Sequence, residues 1–465
     1  VSDLVVASNR GPLSFEMDSH GQPVAVASGG GLAGTLHPLL AGSGATWVTA
    51  SMNDADRSAA DHGLVRESGL HLVMLDIDEQ VYRMAYDVVS NATLWFCHHH
   101  LFDLPRRPRF DRRWSGAWEA YRHLNMQFAE AIAAESPRGA TVLVQDYHLS
   151  LVGSHLSKAR PDLHTVHFSH TPFADPSVLR CLPEDTAAEL LTSMAGFGAC
   201  GFHAARWESA FRAAYDDEEL SRRSGGARPP RTFVSALAPS VDALMEEARG
   251  ADVAVARQEL EERLGGRKLI LRVDRIELSK NLVRGFLAYE ELLETRPEWR
   301  GTVVMVALAY PSRQALADYL AYRSEVEHAA ARINEAWGDE DWNPIVLDVA
   351  DNRARSVAAL TSYDVLLVNP IRDGMNLVAK EGPLLNSKNG VVVLSREAGA
   401  WDELSRAVLG INPFDISDTA RALDVALGMP TAERAELASA LRRIVAGRTA
   451  KDWLDDQLRA GRPEH

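Results

Sequence analysis

Short apolar runs alternate with longer amphipathic segments along most of this chain, and that alternation restricts its fold more than any other feature. LVVAS, ATWVTA, HLVML, TVLVQD, HTVHFSH, FVSALA, LILRVD, TVVMVALA, PIVLDV, DVLLVNP and GVVVLS each read as a short strand. Helical patterns lie between them, such as Trp118–Glu135, Leu282–Leu293 and Ser312–Trp337. Strand and helix in alternation build parallel sheets with helices on both faces, an α/β fold. Eleven strands are many for one open sheet, and 465 residues are too many for one ordinary core. Two doubly wound domains are therefore expected.

The boundary falls near ALAPSVDALM, where Pro239 follows a strand and Asp242 can cap a new helix. Upstream, SRRSGGARPPR reads as an exposed loop. The domains are then 1–240 and 241–447, with a terminal helix over 448–465 packing back on the first. In open parallel sheets, ligands bind beyond the carboxyl ends of the strands. Two such domains facing each other place the expected site in the cleft between them.

Composition narrows the function class. The formal charge of -15 argues against a nucleic-acid partner, which needs an excess of cations. A small anionic substrate needs only a few placed Arg and Lys. No apolar run is long enough to span a bilayer, and the opening VSDLVVASNR lacks the pattern of a signal peptide. Cys97, Cys181 and Cys200 show no paired spacing, as expected of reduced thiols in a cytoplasmic protein.

Four loops at strand ends carry candidate chemistry. After DVLLVNP come Arg372, Asp373 and Gly374, a helix start expected near Asn376, and Glu381. Free backbone N–H groups there can hold an anion while carboxylates bind hydroxyls; an ordinary turn with a capping Asp fits equally. After LILRVD, Arg275 and Lys280 can together stabilise a diphosphate leaving group without a metal, or form a solvated basic loop. In VLVQDYHL, Asp146 can accept sugar hydroxyls or act as a base, and is as readily an N-cap. In HFSHTPF, His170 is either a ligand contact or a satisfied half-buried side chain, and the Gly29–Gly31 turn either approaches a phosphate or is a flexible loop. Adjacent histidines in CHHHLFD alternate in direction and make a poor zinc site. The acids of AYDDEEL and WLDDQL read as exposed helix faces.

Together SNR, SGGGLAG, SNATLW, QDYHL, SHTPF, VDRIELSKN, PSR, EVEHAAARINEAWG and RDGMNLVAKE resemble the trehalose-6-phosphate synthase family, retaining GT-B glycosyltransferases with two facing Rossmann-like domains. The resemblance covers nearly the whole chain. It implies a nucleoside-diphosphate glucose as donor and glucose 6-phosphate as acceptor, with no cofactor or metal. Arg275, Lys280 and the backbone of Gly374, Met375, Asn376 and Leu377 would hold the donor diphosphate. Glu381 would bind the ribose and Asp373 the transferred glucose, with Gly30 and His170 touching the donor from the first domain. Arg10, Arg313 and Tyr86 would clamp the acceptor phosphate, while Asp146 and Trp95 orient its sugar. The implied catalytic set is Asp146, Arg275, Lys280 and Asp373. The family's reaction uses no protein nucleophile, because the departing phosphate takes the acceptor proton. Assembly into homo-oligomers stays open.

The sequence departs from the family in places. Ala50 replaces a tryptophan that commonly touches the acceptor, TPFADP differs from the usual IPFP run, and Gly382-Pro383 should kink the helix just past Glu381. These leave open a related transferase or pseudo-glycosyltransferase with another phosphorylated acceptor. A non-catalytic sugar-phosphate sensor is the third reading, although the charged positions are all present. Asp348 and Asp351 in VLDVADNRARS could accept the two adjacent donors of guanine, which leans towards GDP-glucose over UDP-glucose.

Overall fold

The structure is a computed structural model that describes residues 3–27, 31–61, 66–67 and 69–462. Gly30, one of the expected donor contacts, lies outside the described residues, as does Gly29. The chain divides into two compact units, Val1–Ala236 with Ala450–His465, and Leu237–Thr449.

The first unit contains β1 (Leu4–Ala7), β2 (Leu13–Met17), β3 (Pro23–Ala27), β4 (Thr46–Ala50), β5 (Arg66–Glu67), β6 (Leu70–Leu75), β7 (Thr141–Gln145), β8 (His164–Ser169), β9 (Ala199–Phe202) and β10 (Arg231–Val234). Eight of them form one sheet in the order β10-β9-β8-β7-β1-β4-β6-β5, parallel except for the β5–β6 pair. β2 and β3 form a separate antiparallel hairpin. The order reverses between β1 and β7, whose registers run Leu4 against Thr141 to Ala7 against Val144. Crossovers leave in opposite directions at such a switch point and open a crevice at the strand ends. Arg10 and Asp146 follow those two strands.

The second unit contains β11 (Lys268–Ile276), β12 (Val303–Pro311), β13 (Ile345–Asp348), β14 (Val365–Val368), β15 (Val391–Ser395) and β16 (Leu409–Ile411). Their order is β13-β12-β11-β14-β15-β16, all parallel, with the switch between β11 and β14. That places Arg275, which the structure puts inside β11 rather than in the loop after it, and the loops carrying Lys280 and Asp373 at neighbouring strand ends.

Burial explains why these runs became strands. β1, β14 and β15 are buried at every position, and β12 from Val303 to Ala309, as continuous apolar runs covered on both faces require. The helix Arg112–Glu135 is capped by Asp111, whose carboxylate accepts from the Arg113 and Trp114 amides at 3.0 Å, a contact worth about 1 kcal/mol. The terminal helix Ala450–Ala460 belongs to the first unit and buries Trp453 and Gln457 completely. The helix Val378–Leu385 begins two residues later than expected, because Asn376 takes a left-handed backbone with φ of 75°. It also runs on through Pro383, so the expected interruption does not occur. The proline removes only the bond to the Ala379 carbonyl, and the helix ends at Leu385. No helix among the described residues is long and apolar enough to cross a membrane.

Candidate active site

The second unit's switch point gathers charge. Lys280 ends a short 3₁₀ turn after β11, and its Nζ lies 2.6 Å from Asp373 Oδ2. The same carboxylate accepts from Asn376 Nδ2 at 3.1 Å and from the Met375 amide at 3.4 Å. Asn376 in turn caps the helix, its Oδ1 accepting from the Ala379 amide at 3.2 Å. Burial would lower the Lys280 pKa, but the Asp373 and Asp274 carboxylates outweigh it and hold the ammonium above its ordinary value. Among the described residues no acceptor meets the backbone N–H groups of Asn376, Leu377 and Val378. A helix start leaves such donors unsatisfied and carries partial positive charge, which suits a phosphate oxygen. Gly399 is required here, since an added Cβ would lie 1.9 Å from the Gly374 carbonyl oxygen.

Beneath this loop Arg272 is fully buried and donates to Asp274 at 2.9 and 3.2 Å and to the Lys280 carbonyl at 2.9 Å. Gly285 makes the room, because a Cβ there would meet Arg272 Nη1 at 2.1 Å. Burial pushes the Asp274 pKa up, while Arg272 and Lys280 oppose the shift. This pair supports the loop and leaves Lys280 to the surface of the site.

Arg275 and Arg313 share one counter-ion. Glu277, wholly buried, accepts on Oε1 from Arg313 Nη1 at 2.6 Å and Ser312 Oγ at 3.0 Å, with Arg275 Nε at 3.2 Å. Burial alone would raise its pKa; Arg275 and Arg313 prevail and bring it down to about 2. The family resemblance implies a donor role for Arg275 and an acceptor role for Arg313, and both lie in this one cluster.

Glu381, on the first turn of the Val378–Leu385 helix, pairs with Arg353 Nη1 at 3.1 Å, and Arg353 also pairs with Glu247 at 2.9 Å. The two carboxylates expected to read guanine lie at the end of β13 and in the loop after it. Asp348 binds Arg355 at 2.9 Å and the Ala350 amide at 3.0 Å, and Asp351 is exposed. A carboxylate already paired with Arg355, seven residues on, is a poor candidate for reading a base.

The first unit's switch point is aromatic and largely neutral. Asp146 has φ of 69°, an uncommon backbone for a non-glycine residue and one that clusters at functional sites. Its side chain does not cap the following turn, so the N-cap alternative is excluded; Oδ1 accepts from the His170 amide at 3.1 Å. His170 itself is a satisfied side chain: Nε2 lies 2.9 Å from Gln145 Oε1 and Nδ1 lies 3.1 Å from His203 Nε2. Burial, with His203 and His167 nearby, holds its pKa well below the ordinary value. Tyr86 stacks on His148 at 5.6 Å and on Tyr82 at 5.4 Å. The Tyr82 hydroxyl meets Asn9 Nδ2 at 2.9 Å, next to Arg10, which is exposed. Trp95 is buried against His99 at 3.8 Å and Tyr147 at 5.9 Å.

Sequence reasoning missed Tyr82 and the bridging role of Glu277. The four-residue spacing of Tyr82 and Tyr86 puts both on one helical face, and that was the available signal. Tyr86 belongs to a π-helical stretch, Met84–Leu94, a geometry frequent at functional sites. The CHHHLFD histidines diverge: His98 accepts from the Ala174 amide, His99 bonds the Trp95 carbonyl, and His100 meets Asp175. Two of them thus brace the TPFADP loop.

Comparison with known proteins gives the following. The profile of glycosyltransferase family 20 matches residues 2–460. The trehalose-6-phosphate synthases of Mycobacterium sp. (strain JLS) and Mycolicibacterium smegmatis are each 34% identical, over 97% of this chain and 94% and 91% of theirs. An alpha,alpha-trehalose-phosphate synthase (UDP-forming) from Burkholderia xenovorans, solved with glucose-6-phosphate, superposes with a TM-score of 0.85 at 27% identity over 99% of this chain and 100% of that one. An E. coli structure bound with UDP-2-fluoro glucose gives 0.85 at 28% identity, over 99% of both chains.

Proposed function

The chain belongs to glycosyltransferase family 20, whose GT-B fold pairs two Rossmann-like domains, and on that premise we propose that it makes α,α-trehalose 6-phosphate from UDP-glucose and glucose 6-phosphate with retention at the anomeric carbon. The observation that carries the reading is the second unit's switch point. There Lys280 and Asp373 meet at 2.6 Å beside the Asn376–Val378 amides, which have no acceptor among the described residues. This is the chemistry of a pyrophosphate and an adjacent sugar: donors for the phosphate oxygens and a carboxylate for hydroxyls.

In the proposed step the bond from the anomeric carbon to the diphosphate oxygen breaks while the acceptor's anomeric hydroxyl oxygen bonds to that carbon on the same face. The departing phosphate takes the hydroxyl proton and UDP leaves. Arg275, Lys280 and the helix amides stabilise the charge that grows on the phosphate. Those fixed cations are assigned the role a divalent metal could play, so turnover is expected to continue in EDTA. On the first unit, Arg10, Tyr86, Trp95 and Asp146 are assigned to glucose 6-phosphate. UDP-glucose replaces the earlier lean to GDP-glucose, because Asp348 is engaged with Arg355 and relatives are described as UDP-forming.

One observation favours a second reading. Ala50, at the end of β4, is 2% exposed and offers no ring to an acceptor sugar. A different phosphorylated acceptor, cyclitol phosphates included, fits that change. The test is nucleoside diphosphate release with UDP- and GDP-glucose crossed against phosphorylated sugars and cyclitols. Release that depends on glucose 6-phosphate is expected. Release only with another acceptor selects the second reading, and ligand binding without turnover selects a sensor.

A further inference from the structure

Glu277 has a place in this site that the assigned contacts leave unused. Its carboxylate is completely buried, and all three of its donors converge on Oε1: Arg313, Ser312 and Arg275. Oε2 is buried with no partner among the described residues. One negative charge therefore serves two guanidinium groups, which leaves the cluster a net cation. Arg313 is further restrained, with φ of 44° and its guanidinium over the Tyr319 ring at 5.5 Å. Glu277 also accepts the Lys280 amide on its carbonyl at 3.0 Å, closing the turn that presents Lys280.

We propose that Glu277 is a positioning residue that makes Arg275 and Arg313 one unit, so that donor-diphosphate binding and acceptor-phosphate binding are coupled through its carboxylate. The inference rests on the roles given above to those two arginines. An anion that settles on either guanidinium fixes the shared carboxylate, and the second anion then finds its own arginine already placed. Replacing the carboxylate by an amide of the same shape removes the shared counter-ion and raises the positive charge of the cluster. Anion affinity is then kept while the relative placement of the two arginines is lost.

Titration calorimetry with UDP and glucose 6-phosphate, each alone and in the presence of the other, reads the coupling directly. In the wild type each ligand is expected to tighten the other at least about fivefold, by equal factors. In Glu277→Gln the factor falls to within about twofold of none, UDP binds as tightly as before or tighter, and kcat drops at least about tenfold. Glu277→Asp keeps the charge on a shorter arm and recovers part of the coupling; it also serves if the Gln variant folds poorly. Wild-type coupling retained in both variants, or no coupling in the wild type, overturns the inference. Wild-type protein that shows coupled binding but no UDP release from UDP-glucose overturns the transfer reading alone. Wild-type protein that turns over without coupled binding overturns only the inference.

Discussion

The two switch points use different means to the same kind of end. The second unit's is ionic, built on Lys280–Asp373, Arg272–Asp274 and the Glu277 cluster. The first unit's is built from stacked rings, neutral histidines and one unusual backbone at Asp146. A leaving diphosphate develops charge and is stabilised by fixed charges in a partly buried place. An acceptor sugar brings flat faces and hydroxyls, which rings and a single carboxylate can orient. The difference in chemistry thus follows the difference in what each half is proposed to bind.

The contrast can be broken by substitution. Arg275→Ala should lower kcat by roughly a hundredfold, the usual loss when a donor to transition-state charge is removed. Near-normal turnover in steady-state assays would mean that the ionic half does not hold the leaving group. Asp146→Asn keeps an acceptor for the His170 amide and tolerates the left-handed backbone, while removing the charge. It should reduce kcat/KM for the acceptor by about tenfold or more, with UDP affinity unchanged. A loss of UDP affinity instead would erase the division of labour. Arg353→Ala breaks a partly exposed pair with Glu381, so the donor KM should change by less than about fivefold.

Acid should separate the halves by stability. His167 is pushed down to about 4 by burial, and His170 is also depressed. Below pH 6.5 the unfolded chain binds protons that these folded histidines refuse, so the first unit loses stability as pH falls from 6.5 towards 4. Glu277 is lowered to about 2, so its contribution is present above 4.5 and is lost only between 4.5 and 2. Asp274, raised by burial, acts in the opposite direction and offsets part of it. Hydrogen exchange at pH 5 should therefore rise in 164–170 before 268–280. The reverse order would contradict these assignments.

The same contrast explains what the sequence disclosed. Ten of the eleven apolar runs lie mainly in strands, while FVSALA contributes only Phe233 and Val234 to β10. β1, β14 and β15 are the plainest, because a strand buried on both faces favours a continuous apolar run. Loop cations and carboxylates after LILRVD and DVLLVNP were legible, since charge at a strand end is local information. The two-residue β5, the three-residue β16 and the Gly-containing β9 were missed, being short or interrupted, and the β2–β3 hairpin because β2 is mostly unburied and lacks a continuous apolar run. The π-helical stretch is invisible to periodicity, and the Tyr82–Tyr86–His148 stack joins segments far apart in sequence. The Asp348–Arg355 pair, which weakens the lean towards guanine, was likewise not local information.

The central claim is that a pyrophosphate sits on the Asn376–Val378 amides beside Arg275 and Lys280. Hydrogen exchange of those amides in the wild type, with UDP and with uridine at saturating concentration, tests it most directly. Strong protection by UDP and little by uridine is the predicted result. Equal protection by uridine, or none at residues 376–378 while UDP is bound, would contradict it.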